Sequence, residues 1–382
     1  MEPRKFVAPE FVLGEGALAL AGRYAANLAA RKVLLVTDPG VIETGWAGKV
    51  EESLRQAGLP FIVFSELSAN PKDTEVMTGA ARYLSEQCDV IVAVGGGSPM
   101  DCAKCIGVVA SNGENILQFE GVDRIENPCP PLICIPTTAG SSADISQFAI
   151  INDATRKVKI AIISKVVLPD LALVDPLTTL SMPANLTAAT GIDALVHAIE
   201  AYVSNAHSPV TDLHALEAIR LIAQNLKGAI EHPLDLGFRN PMMLASLLAG
   251  LAFSNASLGL VHAMSHSLGG LSNLPHGACN ALLLEHVVAF NFKSAPARYA
   301  RIAGAFGLGI DGLSPKDQEI RLIQTLREFR REAGFTGGLR ELGLSQADLP
   351  ELAQNALKDP CVATNPAQPT AKEIELIYER AF

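Results

Sequence analysis

Short runs of β-branched and aliphatic residues recur through the first half of the chain, separated by stretches with helical periodicity. Such runs lack the polar alternation of a half-exposed strand and are typical of a parallel sheet that helices cover on both faces. The sequence therefore predicts an α/β domain with a parallel sheet. Its predicted strands are Lys32–Thr37, Phe61–Phe64, Asp89–Val94, Leu132–Pro136 and Leu171–Val174.

The segments between these strands support the same interpretation. Ala17–Ala30 and Trp46–Ala57 have helical periodicity, and Gly58 ends the second of them. Phe148–Ile163 is predicted to form an inserted hairpin with Asp153 in its turn.

The sequence changes character after Asp175, where strand-like runs give way to helical periodicity. One later helix is marked by Ser314 as its N-cap, followed directly by proline. We place the boundary near residues 176–184. The expected organisation is an α/β dinucleotide-binding domain over residues 1–180 and an all-helical domain over residues 181–382.

The charge of the chain argues against a nucleic-acid partner. The formal net charge is -10, and no long basic run is present to neutralise phosphates. Hydrophobic residues make up 49% of the chain, which is typical of a globular protein. Small neutral substrates remain compatible with this composition.

Neither a secretory signal nor a membrane span is expected. The N-terminus lacks an apolar h-region, and the apolar stretch Pro241–Leu271 is interrupted by serine, asparagine and histidine, so a buried helix pair is favoured. The seven cysteines form an odd number, which suits free thiols in a reducing compartment. Cys102 and Cys105 are interpreted as incidental helix cysteines. A cytoplasmic location is expected.

Two glycine clusters compete for a phosphate-binding role. Gly14–Ala19 has the outline GxGxxA, but a plain strand-to-helix turn would look the same. Gly95, Gly96 and Gly97 follow a clean strand and lead into a helix, so backbone amides and the helix N-terminus would face a pyrophosphate. The second cluster is favoured, although a tight turn without a ligand is the alternative.

Asp38 lies at the end of the first predicted strand. A carboxylate there can accept hydrogen bonds from the two hydroxyls of an adenosine ribose and repels a 2′-phosphate, which favours NAD over NADP. The alternative is an N-cap or turn role before Pro39. A third segment, residues 136–142, is rich in small hydroxyl residues and suits a phosphate or ribose wall, or only a loop.

All eight histidines lie in the second half of the chain, and four of them form spaced sets with one carboxylate. Asp193 and His197 are four residues apart, and so are His262 and His266, so each pair shares a helix face. His276 follows. Burying these groups is costly unless a cation or a partner network compensates them. A ligand set of oxygen and nitrogen atoms suits Fe(II), Zn(II), Co(II) or Ni(II).

Five motifs in this order resemble the iron-containing (group III) alcohol dehydrogenases over nearly the whole chain, and especially their lactaldehyde reductase and short-chain diol branch. Their fold implies a Rossmann-like domain followed by an all-α domain, as in dehydroquinate synthase. The motifs are GGGSPMDCAK (95–104), PTTAGSSAD (136–144), GIDALVHAIE (191–200), HAMSHSLGGLSNLPHG (262–277) and CVATNP (361–366).

The resemblance implies a role for each matching residue. It gives Asp193, His197, His262 and His276 as metal ligands and His266 as a catalytic histidine close to the metal. The residues implied to surround the substrate are Phe148, Phe253 and Cys361. The residues implied to bind NAD are Asp38, Asn70, Gly95, Gly96, Gly97, Ser98, Asp101, Thr137, Thr138 and Lys159.

Some residues depart from the family pattern. Ser141–Ser146 differs from the usual sequence of that loop, Glu285 stands where proline is usual, and Ala367 stands where arginine is common. None of them is one of the four implied metal ligands. They leave the substrate open.

The resemblance implies an NAD-dependent dehydrogenase that interconverts a small alcohol or diol and an aldehyde on Fe(II), in a homodimer. Three alternatives stay open: a zinc enzyme like glycerol dehydrogenase, a slow NAD- and metal-binding regulator of alcohol oxidation, and an enzyme related to dehydroquinate synthase. The four candidate ligands count against the zinc enzyme. The intact motifs count against a regulator that has lost its catalytic activity. The third would need more basic residues for an acidic substrate than these motifs offer.

Overall fold

The computed structural model describes residues 3–156, 158–272 and 275–382. Asn273 and Leu274, within the histidine motif 262–277, lie outside the described residues. The chain divides into two compact units. One is the α/β unit, Val7–Met182, and the other is the helical unit, which consists of Pro183–Phe382 and the N-terminal segment that ends at Phe6.

The N-terminal segment therefore differs from the expected organisation, in which the α/β domain starts at residue 1. The Arg4 guanidinium donates a hydrogen bond to the carbonyl oxygen of Asn205. The Phe6 ring stacks on His214, with the two centroids 5.9 Å apart. These contacts attach the segment to the helical unit.

The α/β unit is built on a parallel sheet of six strands with the spatial order β1, β9, β6, β4, β2, β3. A smaller sheet has the order β5, β8, β7, and its β7–β8 pair is the antiparallel hairpin that the sequence predicts. The strands are β1 (Glu10–Leu13), β2 (Val33–Val36), β3 (Phe61–Phe64), β4 (Val90–Gly95), β5 (Gly121–Val122), β6 (Leu132–Pro136), β7 (Phe148–Asp153), β8 (Val158–Ile163) and β9 (Leu171–Val174).

Both faces of the six-stranded sheet are buried, as the continuous apolar runs predict. Successive side chains of a strand point to opposite faces. Leu34 and Ile91 accordingly pack in one hydrophobic cluster, while Val33 and Val92 pack in a second cluster on the other face. The helices that cover these faces are α1 (Ala21–Asn27), α2 (Pro39–Glu43), α3 (Trp46–Gln56), α4 (Asp73–Ser85) and α5 (Gly97–Asn112).

The segment predicted as one helix over Ala17–Ala30 is divided. A 3-10 helix occupies Ala17–Leu20 and α1 follows it, after a left-handed Gly16. The other 3-10 helices are Ile116–Phe119, Lys165–Val167, Pro176–Ser181, Phe292–Ser294, Leu339–Leu342, Gln346–Asp348 and Pro360–Thr364.

Nine α-helices form the described part of the helical unit, and α6, α7 and α8 pack against one another. Ser314 caps α12 as expected, because its hydroxyl accepts a hydrogen bond from the amide of Asp317. The helices are α6 (Ala184–Val203), α7 (Pro209–Glu231), α8 (Leu236–Ala256), α9 (Leu260–Ser272), α10 (His276–Asn291), α11 (Pro296–Ala305), α12 (Pro315–Glu332), α13 (Leu349–Leu357) and α14 (Ala371–Ala381).

Within the described residues, α8 is the one helix long and apolar enough to span a membrane, with a mean hydropathy of 1.3 in its most apolar window. The structure buries 61% of that window. A core helix of a soluble protein gives the same signal, and the packing of α8 against α6 and α7 is that of a core helix.

Glu285 connects α10 to α12. Its carboxylate is buried and accepts hydrogen bonds from Arg327 Nε at 3.0 Å and from Arg330 Nε at 3.3 Å. Arg330 also donates to the carbonyl oxygens of Phe335 and Gly337. The departure from the usual proline at position 285 is thus matched by two arginines on the neighbouring helix.

Candidate metal centre and cofactor site

Three helices of the helical unit bring one carboxylate and three imidazoles together. Asp193 and His197 lie on α6, His262 lies on α9, and His276 is the first residue of α10. Asp193 Oδ1 lies 3.7 Å from His197 Nε2, 3.6 Å from His262 Nε2 and 3.5 Å from His276 Nε2. The three implied histidine ligands therefore face one oxygen of the fourth implied ligand, Asp193.

This spacing fits donor atoms that share a cation. Ligands about 2.1 Å from a tetrahedral metal lie roughly 3.4 Å from one another. The donor atoms of Asp193, His262 and His276 all lie within 4.8 Å of one another. The Asp193, His197 and His262 side chains are also buried, so an uncompensated charge there would be costly. The residues present fit a divalent transition metal.

The His197 ring, whose Nε2 faces Asp193 Oδ1, is packed between two other rings. Its imidazole stacks on the rings of Phe253 and His262, with centroid separations of 4.3 Å and 4.6 Å. Phe253 therefore forms part of the wall around the cluster.

The charges within the cluster act on each other strongly. Burial on its own would raise the pKa of Asp193, but His197, His276 and His262 together hold that pKa well below its usual range. Burial opposes the charged form of His262, yet the carboxylates of Asp193 and Glu200 outweigh it and raise the pKa of His262 to about 9. The cluster therefore favours a carboxylate surrounded by positive charge.

Glu200 orients His262. One of its oxygens lies 2.6 Å from His262 Nδ1, and the buried carboxylate also accepts the amides of Gly259 and Val261. A carboxylate on one imidazole nitrogen directs the other toward a metal and increases its basicity. A side chain at Gly259 would lie 2.9 Å from this carboxylate, so the glycine allows α9 to start against it.

The position of His276 depends on the next residue. A Cβ atom at Gly277 would lie 2.3 Å from the carbonyl oxygen of Ala189 on α6. Only glycine lets the first turn of α10 lie against the backbone of α6 at this distance. The contact keeps His276 next to the helix that carries Asp193.

His266 belongs to a second cluster beside the first. Its Nδ1 lies 2.8 Å from Asp359 Oδ2, and the other oxygen of Asp359 accepts the amide of Cys361. The His266 ring stacks on that of His276, with centroids 5.4 Å apart. Burial raises the pKa of the Cys361 thiol well above its ordinary value, so this cysteine is a neutral thiol. The cluster holds one nitrogen of His266 in a fixed direction.

Two groups of implied cofactor residues lie at the carboxyl ends of β2 and β4. β2 pairs with β3 on one side and with β4 on the other, so the direction of strand addition reverses between β2 and β4. Ligands of open parallel sheets bind at such a switch point. Asp38 follows β2 and Gly95–Gly97 follows β4, which places both at this point.

The glycine loop and the loop after β6 approach each other closely. The amide of Thr137 donates a 2.8 Å hydrogen bond to the carbonyl oxygen of Gly95. A Cβ atom at Gly96 would lie 3.3 Å from the Thr138 methyl, and one at Gly97 would lie 3.1 Å from Ser141 Cβ. The bare backbone of the loop thus forms the surface of this site, and α5 begins directly from it.

Other implied cofactor residues lie around this loop. The Ser98 hydroxyl donates to the carbonyl oxygen of Ala69, next to Asn70. Asp101 on α5 interacts electrostatically with Lys104 and Lys159 and accepts a hydrogen bond from the backbone of β7, although burial still raises its pKa to about 6. The groups that act on Asp101, namely Lys104, Lys159 and the backbone of β7, therefore all belong to the α/β unit.

Asp38 acts as the N-cap of α2, since its Oδ1 accepts the amide of Val41 at 2.9 Å. The capping interpretation of this residue is confirmed, and its ribose contact stays a prediction. The competing Gly14–Gly16 cluster follows the edge strand β1, and the amide of Leu18 there is bonded to Asp175. Phe148 opens β7, where its carbonyl oxygen accepts Lys104 Nζ.

Comparison with known proteins decides the family. A model described as "Iron-containing alcohol dehydrogenase" matches residues 8–176, and one described as "Fe-containing alcohol dehydrogenase family, C-terminal" matches residues 187–382. The chain belongs to the iron-containing alcohol dehydrogenase family. The histidine cluster and the glycine loop lie in the two matched regions of this alcohol dehydrogenase.

Curated relatives match this alcohol dehydrogenase along almost their whole length. A 1,3-propanediol dehydrogenase of Klebsiella pneumoniae is 43% identical over 97% of this chain and 96% of that protein. An NAD-dependent methanol dehydrogenase of Bacillus methanolicus is 40% identical over 99% of both. The lactaldehyde reductase of Escherichia coli (strain K12) is 35% identical over 92% of both.

Solved structures confirm the fold. A 1,3-propanediol oxidoreductase superposes with a TM-score of 0.97 at 42% identity, with both chains covered completely. An alcohol dehydrogenase from Oenococcus oeni gives a TM-score of 0.97 at 35% identity, again with both chains covered completely. The predicted fold class, a Rossmann-like domain followed by an all-helical one, is therefore confirmed.

The sequence reasoning missed Glu200 and Asp359, which support two of the histidines. Glu200 lies three residues after His197 on one helix face, so its spacing could have revealed it. Asp359 is 93 residues from His266 in the chain, and no local pattern links them.

Proposed function

We propose that this chain is a metal-dependent, NAD(H)-linked alcohol dehydrogenase that interconverts small primary alcohols or diols and their aldehydes. The observation that carries the proposal is the convergence of His197, His262 and His276 Nε2 on Asp193 Oδ1 in a buried cluster. The names of the propanediol, methanol and lactaldehyde enzymes support the same substrate class.

The four residues would hold a divalent metal, with Fe(II) favoured by family and Zn(II), Co(II) or Ni(II) as alternatives. When bound, the metal polarises the substrate oxygen as a Lewis acid, and NAD(H) accepts or supplies the hydride. Glu200 fixes His262 Nε2 in the direction of the metal.

His266 would move the alcohol proton. Because Asp359 holds its Nδ1, the remaining nitrogen, Nε2, is the atom that exchanges a proton with the substrate hydroxyl. Phe253 and Phe148 would restrict the substrate to short apolar chains, and Cys361, beside His266 and Asp359, is the third residue of the proposed substrate surroundings.

The NAD pyrophosphate would lie on the amides of Gly95–Gly97 and Ser98 at the start of α5, beside Thr137 and Thr138. Asp38 would accept the adenosine ribose hydroxyls through the oxygen that does not cap α2. Asn70, Asp101 and Lys159 complete the proposed cofactor surroundings. A cytoplasmic homodimer belongs to the same proposal by family resemblance.

The test is metal analysis of protein purified without air, followed by NAD- and NADP-linked assays over alcohols of two to four carbons and 1,2-diols. We expect about one metal ion per chain and a preference for NAD. Asp193→Asn should lose the metal and lower turnover by about 10³-fold, because Lewis-acid stabilisation contributes several kcal/mol.

The matched control is His232→Ala, which changes an exposed histidine of the same unit and should keep both metal and activity. Full activity in metal-free protein would contradict the proposal.

A further inference from the structure

The last of the five motifs, residues 361–366, contains a buried asparagine that neither the metal centre nor the substrate surroundings use. Asn365 is only 1% exposed. Its Oδ1 accepts the amide of Leu260 at 3.1 Å and Asn291 Nδ2 at 2.8 Å. Its Nδ2 donates to Asn291 Oδ1 at 2.8 Å and to the carbonyl oxygen of Ala367 at 2.6 Å. Both ends of the amide are therefore satisfied, and its orientation is fixed.

The contact with Leu260 lies at the start of α9, two residues before His262. The first amides of a helix have no carbonyl partner within the helix. Here the amide of Leu260 donates to Asn365, and the amides on either side of it donate to Glu200. Asn365 therefore holds the same helical turn that presents the His262 imidazole.

The residue before α9 cannot provide this cap itself. A Cβ atom at Gly259 would lie 2.9 Å from Glu200 Oε1 and 3.0 Å from Asn365 Oδ1. Because hydrogen bonds hold both oxygens in place, no room is left there for the serine or aspartate that usually caps a helix. Two side chains from distant parts of the chain cap α9 instead.

Asn365 also contacts the ends of the other two helices that carry implied ligands. Asn291 is the last residue of α10, which begins with His276. Asn205, two residues after the end of α6, donates its Nδ2 to the carbonyl oxygen of Asn365 at 2.8 Å. One buried residue thus joins α6, α9 and α10, the three helices that together carry the four implied ligands.

We propose that Asn365 is a positioning residue for the metal centre, because it sets the placement of α6, α9 and α10 relative to one another. This role rests on the metal centre proposed above. A metal binds tightly when its donors are already held at the distances and directions that it requires. Loss of the Asn365 amide should therefore lower metal affinity, although Asn365 is not itself a donor.

A purely structural role predicts a different result. Asn365 and Asn291 are buried, so the removal of either side chain leaves buried polar groups without partners and lowers stability in both roles. If the amide only supported the fold, however, the folded variant would bind metal with unchanged affinity. Metal affinity measured well below the melting temperature therefore separates the two roles.

The experiment uses the full chain and Zn²⁺ as the probe, with affinity measured by competition against a chelator. We expect Asn365→Ala to weaken Zn²⁺ binding by about tenfold, as the loss of a supporting residue around a metal does. Asn291→Ala should weaken it by a smaller factor, because Asn365 keeps its hydrogen bond to the amide of Leu260. The double variant should bind no more weakly than Asn365→Ala, because Asn291 acts through the side chain that is already missing.

Ser208→Ala is the matched control. The Ser208 hydroxyl caps α7 by accepting the amide of Thr211, and α7 carries none of the implied ligands. Its loss should lower the melting temperature, as the loss of a cap usually does, and leave Zn²⁺ affinity unchanged. If Asn365→Ala does not fold, Asn291→Ala provides the same comparison with the control.

Failure of the positioning role can be distinguished from failure of the metal centre. If the unaltered chain binds Zn²⁺ and the variants at positions 365 and 291 bind it equally well, the role of Asn365 is wrong and the metal centre stands. An equal loss of affinity in Ser208→Ala would also overturn that role, since general destabilisation would then be the cause. If the unaltered chain binds no divalent metal, the metal centre is wrong, and the role of Asn365 with it.

Discussion

Each unit of the molecule buries a cluster of charged side chains, and the two clusters are compensated differently. In the α/β unit, the Lys104 ammonium is buried and donates to the carbonyl oxygens of Ser146 and Phe148 at 2.9 Å and 2.7 Å. The nearby carboxylates of Asp101 and Asp144 supply opposite charge. This cluster is compensated by groups within its own unit.

In the helical unit, the three imidazole nitrogens lie 3.5–3.7 Å from Asp193 Oδ1, which exceeds ordinary hydrogen-bond length. Donor atoms that converge at that spacing leave room for an ion between them. Equal burial thus accompanies two different roles: the Lys104 cluster is compensated by its own opposite charges and supports the fold, whereas three imidazole nitrogens that face one carboxylate oxygen indicate a ligand.

Lys104→Met should give the largest effect on stability. Removing one partner of a buried charge cluster costs about 3 kcal/mol or more. Asp144 would be left without its cation, and Asp101 would keep only Lys159. Zn²⁺ affinity should not change, since the metal donors lie in the other unit. Unfolding in urea and chelator competition measure the two quantities, and Lys49→Met, at an exposed lysine, is the control.

The loss should also depend on pH. Burial raises the pKa of Asp101 and of Asp144 to about 6. A carboxyl with a raised folded-state pKa binds its proton more readily when folded, so its ionisation lowers stability as pH rises from the ordinary value of 3.8 to the folded-state pKa of about 6. The Lys104→Met variant should lose more stability at about pH 8 than at about pH 5. Equal losses at both values would contradict the compensated cluster.

Glu200→Gln tests the metal cluster by changing a residue that contacts His262 but is not itself one of the four implied ligands. Supporting residues of this kind usually change metal affinity by about 10- to 100-fold, and we expect weaker Zn²⁺ binding because His262 loses its carboxylate partner. Glu217→Gln, whose carboxylate is 44% exposed on α7, is the control. Unchanged affinity would mean that Glu200 serves only to start α9, through the amides of Gly259 and Val261.

Gly97→Val should produce the smallest effect, and on the cofactor alone. A Cβ atom there would lie 3.1 Å from Ser141 Cβ, and crowding of this kind typically costs about 1–3 kcal/mol, so NAD affinity should fall by roughly tenfold. Metal content should stay unchanged. Gly48→Ala, where nothing lies within 4 Å, is the control. If Gly14→Ala weakened NAD binding and Gly97→Val did not, the cofactor would use the first glycine cluster.

Local patterns were sufficient to predict the fold class and five of the six strands of the main sheet. β3, β6 and β9 have the predicted bounds, because each is a short apolar run that ends at a turn. β1 was missed because it lies at the sheet edge with Phe11 and Leu13 exposed, so it lacks the buried pattern. Ala17–Ala30 is divided because the left-handed backbone at Gly16 leads into a 3-10 turn before α1 begins. The spacing of apolar residues does not reveal this turn.

The metal cluster was predictable because helical spacing of four residues places side chains on one face. A spacing of three residues has the same effect, and it reaches Glu200 on α6, three residues after His197. It does not reach Asp359, which approaches His266 only through the packing of distant segments. The sequence already favoured Gly95–Gly97 over Gly14–Gly16, and the order of strands in space adds that the favoured loop lies at the switch point between β2 and β4.

The contacts of Glu285 limit which residues the chain can accept at position 285. Helix α10 runs through position 285 with an amide available at that point, and proline would remove the amide and strain the turn before it. Changing Glu285 alone to the residue usual in the family would also leave Arg327 and Arg330 without their shared carboxylate. Proline at position 285 would therefore be tolerated only together with changes at Arg327 and Arg330.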